Sequence, residues 1–166
     1  MSKTIILASK SLGRKLLLEE AGFEVLIQPS KADEEHQRES VEKSVRLLAM
    51  RKLEAFLRDR PSPTHPVIAS DTLLAFEEIE LGQPETREAA FSQLRLLSGA
   101  THHVYSAWAL WVNGDVHQGC VRCAVTFKEL SDDEIEAYLD TGEWVGAAGS
   151  YRYQGRGKEL VRSTTG

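Results

Sequence analysis

A chain of 166 residues, 42% apolar and 27% charged, is long enough to bury roughly two thirds of its unfolded surface without a disulfide or a metal. Its net charge of −5 comes from acidic residues spread along the whole length, which excludes a general nucleic-acid binder that needs a basic face. No apolar run reaches membrane-spanning length and the N-terminus lacks a signal-peptide core, so the expectation is one domain over residues 1–166, cytoplasmic, with neither a membrane nor a nucleic-acid partner.

The chain opens on an apolar run, Ile5 to Ala8, that passes through Ser9, Lys10 and Ser11 into a helical pattern. Leu12, Leu16, Leu17 and Ala21 share one face, and Gly22 supplies the stop. Strand, tight turn and helix start follow one another. A helix N-terminus exposes unpaired N–H groups and the positive end of its dipole, so two serines, two lysines and Arg14 gathered there can cradle a phosphate. The plainer reading makes Ser11 an N-cap and leaves the basic residues in solvent.

Phe23 to Gln28 reads as a second strand, and Pro29 opens a polar loop with Asp33, Glu34 and Glu35. Three adjacent carboxylates form either a solvated loop or hard oxygen ligands of the kind magnesium takes when it accompanies phosphates. From Ser40 to Arg58 the sequence predicts a long amphipathic helix, with Val41, Val45, Leu48, Ala49 and Phe56 at helical spacing. Lys52 falls on that apolar face, either snorkelling to an edge or waiting, partly enclosed, for an anion. After a Pro-rich loop, Val67 to Leu74 is an apolar strand carrying Ser70, Asp71 and Thr72 in its middle. A carboxylate in such a place is costly unless it is satisfied or used, and Asp71 is the foremost candidate for chemistry.

Glu77 to Gly82 reads as a turn region, and Pro84 precedes a helix with Ala90, Leu94 and Leu97 inward and Gly99 as its stop. Val104 to Val112 is apolar on both faces and predicts a central strand; Asn113-Gly114 then signals a hairpin. Cys120 and Cys123 lie in the alternating strand that follows, where positions three apart face opposite sides, so no zinc site is expected. His102 and His103 face opposite sides for the same kind of reason. Ser131 to Glu134 is a capping box for a helix that ends at Gly142. The glycine-rich GAAGSYRYQGRG, from Gly146 to Gly157, suggests a loop where backbone approaches a ligand, although it lacks the spacing of a Walker A loop.

Taken together, LASKS with Arg14, ADE at Ala32 to Glu34, LAMRK ending in Lys52, VIASDT ending in Thr72, LGQP, LRLLSGATHHVY, VTFKELSDDEIEAYLDTGE and AAGSYRYQGRG resemble the Maf family of nucleoside triphosphate pyrophosphatases. They occur in family order over nearly the whole chain. The resemblance implies an α/β fold: a twisted mixed sheet flanked by helices, two lobes and a central cleft, related to inosine triphosphate pyrophosphatases. It implies hydrolysis of a nucleoside triphosphate to the monophosphate and pyrophosphate with magnesium or manganese. By position, Asp71 is the general base, with Lys52 beside it in the catalytic set. Ser9, Ser11, Arg14 and Lys52 face the substrate's phosphates, Thr72 and Gln154 help to select the base, and Glu34 with Asp71 holds the metal.

Departures from the family pattern set further expectations. Leu12-Gly13-Arg14 replaces Pro-Arg-Arg, Gln83 replaces a lysine, and Gly146-Ala147 replaces an Asp-Lys pair. The first of these leaves pyrimidine and 7-methyl-GTP preferences both open. The lysine losses raise the alternative of a weakly catalytic paralogue that binds nucleotide, or a cell-division partner, without turnover. The family also continues past the position of Gly166 with a strand and a last helix, so the expectation is either a fragment or a natural truncation that leaves part of the core uncovered, an exposure that a homodimer could offset.

Overall fold

The computed structural model describes residues 3–32 and 40–166. Among the described residues, seven strands hydrogen-bond in the order Phe23–Ile27, Lys3–Leu7, Val67–Phe76, Thr101–Val112, Asp115–Phe127 and Val161–Thr165, with Ile79–Leu81 beside Val67–Phe76. Four α-helices accompany them among the described residues, and the expected mixed α/β sheet is present. The chain divides into two compact units, each built from two separate stretches: Met1–Thr72 with Ser106–Cys120, and Leu73–Tyr105 with Val121–Gly166.

The first unit is built on parallel pairing. Strand β1 (Lys3–Leu7) aligns Ile5 with Val25 of β2 (Phe23–Ile27), and Leu7 with Ile68 of β3 (Val67–Phe76). Parallel neighbours require a crossover, which helices α1 (Leu12–Glu20) and α2 (Val41–Asp59) supply. Ser40 caps α2 by accepting from the Lys43 N–H at 3.1 Å, and Val45, Leu48, Ala49, Leu53 and Phe56 on its inward face are all buried. Helix α1 behaves differently from its pattern. None of its residues is buried, and Leu12, Leu16 and Leu17 are 70%, 59% and 55% exposed.

In the second unit, α3 (Arg87–Leu97) and α4 (Asp132–Leu139) bring Leu94, Leu97, Ile135 and Leu139 into one core with Val125 and Phe127 of β6 (Asp115–Phe127). Strand β7 (Val161–Thr165) pairs antiparallel with β6, Val125 opposite Thr164. The region read as a mere turn contains β4 (Ile79–Leu81), which folds back on β3 with Ala75 opposite Glu80. Glu77 and Glu78 make that reversal with φ of 51° and 64°, a conformation usually left to glycine or asparagine. The hairpin predicted at Asn113-Gly114 joins β5 (Thr101–Val112) to β6, with φ of 50° and 90°.

Candidate active site

The register that sets Leu7 beside Ile68 runs the turn after β1 alongside the polar middle of β3. The Ala8 N–H donates to the Ile68 carbonyl at 3.0 Å, and beyond it the chain leaves the strand. Ser9 then accepts from the Ser11 N–H at 3.1 Å and from Arg14 Nη1 at 3.2 Å. With its oxygen accepting twice, the Ser9 hydroxyl keeps one proton to donate, which suits a phosphate oxygen. Ser11 is the N-cap of α1 and accepts from the Arg14 N–H at 3.3 Å, so the plainer reading of Ser11 holds as local structure. Arg14 also reaches β3: its Nη2 donates to Thr72 Oγ1 at 3.3 Å. Gly13, one residue earlier, is roomy, since an added Cβ would meet only Ser11 Oγ at 3.9 Å.

Lys52 does not snorkel to an edge. Its Nζ donates to Asp71 Oδ1 at 2.7 Å, with the two side chains 16% and 13% exposed. An ion pair so enclosed has lost most of its hydration and leans on good geometry to offset that cost. Ser30 fixes the backbone at the same point, its hydroxyl donating to the Lys52 carbonyl at 3.0 Å. Thr72 Oγ1 lies 3.4 Å from Ser106 Oγ on β5, a neighbour that nothing in the sequence pattern singled out. Ser9, Ser11, Arg14, Lys52, Asp71 and Thr72 thus all sit in the first unit, on the turn between β1 and α1, on α1, on α2 and on β3.

Glu34 and its neighbours Asp33 and Glu35 lie outside the described residues. Among the described residues, no group of three His, Cys, Asp or Glu side chains gathers that could hold a metal ion. Magnesium asks for less than that: one or two carboxylates, with water and substrate phosphates completing its octahedron. The hard oxygen of Asp71 fits that demand.

Gln154 lies exposed in the second unit, in a segment between two short 3₁₀ turns, Ala148–Ser150 and Arg156–Leu160. The segment is held at both ends. Tyr151 is buried and its hydroxyl lies 2.6 Å from Nε2 of His102, which is fully buried on β5. Burial, with a smaller push from His103, lowers the His102 pKa to about 4. Its other nitrogen, Nδ1, has no hydrogen-bond partner among the described residues. On the far side, the Arg156 N–H donates to both oxygens of Glu143 at 3.0 and 3.1 Å. The Gln83 and Gly146-Ala147 departures fall on the loops flanking this unit's core, where the Gly82 carbonyl accepts from the Gly149 N–H at 3.3 Å and from Gln93 Nε2 at 3.1 Å.

A protein from Latilactobacillus sakei subsp. sakei named dTTP/UTP pyrophosphatase is 40% identical over 97% of this chain and 88% of its own length. One of the same name from Pyrococcus furiosus is 35% identical over 99% of this chain and 85% of its own. The solved structure of the Staphylococcus aureus Ham1 protein shares the fold, with a TM-score of 0.50 at 16% identity over 78% of this chain and 73% of that one. The family model described as Maf-like protein matches residues 4–166, and the chain belongs to that family.

Proposed function

We propose that this protein is a nucleoside triphosphate pyrophosphatase that hydrolyses dTTP or UTP to the monophosphate and pyrophosphate. The observation that carries this reading is the enclosed Lys52–Asp71 pair on the strand that also meets Arg14, beside a turn of serine hydroxyls. Relatives named dTTP/UTP pyrophosphatase at 35% to 40% identity support the choice of substrate.

Hydrolysis to a monophosphate and pyrophosphate requires water to attack the α-phosphorus while the bond from that phosphorus to the α–β bridging oxygen breaks. The bridging oxygen leaves with the bonding pair as part of pyrophosphate. Lys52 engages Asp71 through Oδ1, so the proton of the attacking water falls to Oδ2. The Lys52 ammonium and Arg14 guanidinium offer positive charge to the phosphate oxygens as charge develops, and Ser9 donates its hydroxyl. Magnesium or manganese would be held by Asp71, with Glu34 from the resemblance, and would supply further positive charge at the phosphates. Thr72, already turned toward Arg14, and Gln154 would select the base.

The test is pyrophosphate release from dTTP, UTP, CTP and 7-methyl-GTP with magnesium or manganese. Asp71→Ala is expected to lower release by about 10²-fold to 10⁴-fold while leaving the circular dichroism spectrum unchanged. Release by the wild type that survives the substitution overturns the assignment of Asp71. A folded wild type that binds nucleotide and releases nothing would instead identify the binding paralogue.

A further inference from the structure

The segment that carries Gln154 is gripped by two side chains from the end of α4 and the turn after it. The Tyr138 hydroxyl accepts from the Arg152 N–H at 3.0 Å and donates to Glu143 Oε1 at 2.9 Å. Glu143 in turn accepts the Arg156 N–H through both oxygens. One carboxylate and one phenol therefore hold the backbone on either side of Gln154, two residues before it and two after. The grip is close enough to dictate sequence. A Cβ at Gly155 would come within 2.5 Å of Glu143 Oε2, and a Cβ at Gly157 would run into the Arg152 carbonyl. The Arg152 carbonyl itself accepts from the Gly155 and Gly157 N–H groups at 3.1 and 3.0 Å, closing the turn on itself. Glu143 is set by its own neighbours, its N–H donating to Thr141 Oγ1 at 3.2 Å.

Such an arrangement spends a buried phenol and a carboxylate on backbone amides of an exposed loop, where water would otherwise satisfy those amides. The effect is to fix the backbone from which the Gln154 side chain departs. We infer that Tyr138 and Glu143 are positioning residues that hold the 152–156 backbone so that Gln154 can discriminate between nucleobases. This rests on the pyrophosphatase reading and on the base-selecting role of Gln154.

The test compares Glu143→Gln and Tyr138→Phe with wild type across the same four nucleotides, measuring kcat and KM separately. Loss of the grip is expected to raise KM for the preferred nucleotide about 10-fold, with kcat little changed, so that preference over the other bases flattens. A general loss of structure would lower kcat for every nucleotide alike. Gln154→Ala should flatten the preference in the same way, and adding Glu143→Gln to it should cost nothing more, because Glu143 acts on the base only through Gln154. An active Glu143→Gln that keeps the wild-type preference overturns the inference, as does an additive double variant. An unchanged preference in Gln154→Ala overturns the role of Gln154 and the inference with it, leaving the enzyme reading standing. Should the wild type release no pyrophosphate, the enzyme reading falls. The grip is then judged by hydrogen exchange at the Arg152 and Arg156 amides, which must quicken in Glu143→Gln if it exists.

Discussion

His102 shows how one buried side chain ties stability to pH. Enclosed by Phe127 and Tyr151 at ring-centroid distances of 5.0 and 5.5 Å, it titrates near 4 when folded, against 6.5 in an unfolded chain. Between those values the unfolded chain binds a proton that the native protein does not, so stability falls as pH drops from about 6.5 toward 4 and levels off below. The full contribution, on the order of 3 kcal/mol for a shift of this size, is present above pH 6.5. Urea midpoints for wild type and His102→Gln at neutral pH and near pH 4.5 should converge on acidification, the wild type losing more. Parallel curves would show that His102 titrates normally. The alternation of His102 and His103 was legible in the sequence, but the partner was not: Tyr151 lies 49 residues away. The same holds for Asp71. A carboxylate in an apolar strand announces itself, and Lys52 stands out on an apolar helix face, yet only the tertiary structure brings the two to 2.7 Å.

At the scale of elements, local chemistry was readable wherever it is self-contained. Ser131 and Glu134 form the reciprocal capping box read from their spacing, with Glu134 N–H to Ser131 Oγ at 3.2 Å and Ser131 N–H to Glu134 Oε1 at 3.2 Å. Ser131→Ala is expected to cost about 1 kcal/mol, measured as a lowered urea midpoint with an unchanged slope. No change would mean that packing of α4 alone holds its first turn. Strand β4 escaped notice because its turn uses Glu77 and Glu78, residues with no bias toward positive φ. The exposure of Leu12, Leu16 and Leu17 escaped for the opposite reason: a helical stripe reports amphipathicity, not what covers it. Nothing in the sequence pattern singles out Tyr138 and Glu143 for this task, since the backbone amides they hold carry no signal in side-chain identity.

For the whole molecule, the decisive fact is that neither compact unit is a continuous stretch of chain. The unit that holds Asp71 and Lys52 needs residues 106–120 as well as the first 72. A fragment of residues 1–72 would leave out the part of β5 that carries Ser106, the buried Ala107 and the buried Ala109. It should therefore lack the cooperative urea transition of the full chain, and a fragment with a sigmoidal transition and native-like circular dichroism would contradict this. The order of synthesis follows from the same division. On the ribosome, residues 73–105 emerge before the stretch that completes the Asp71 unit, and residues 121–166 follow last. The Lys52–Asp71 pair must then wait until residues 106–120 have been made before its surroundings close, and the nascent chain carries apolar β1 and β3 without their full cover for that time.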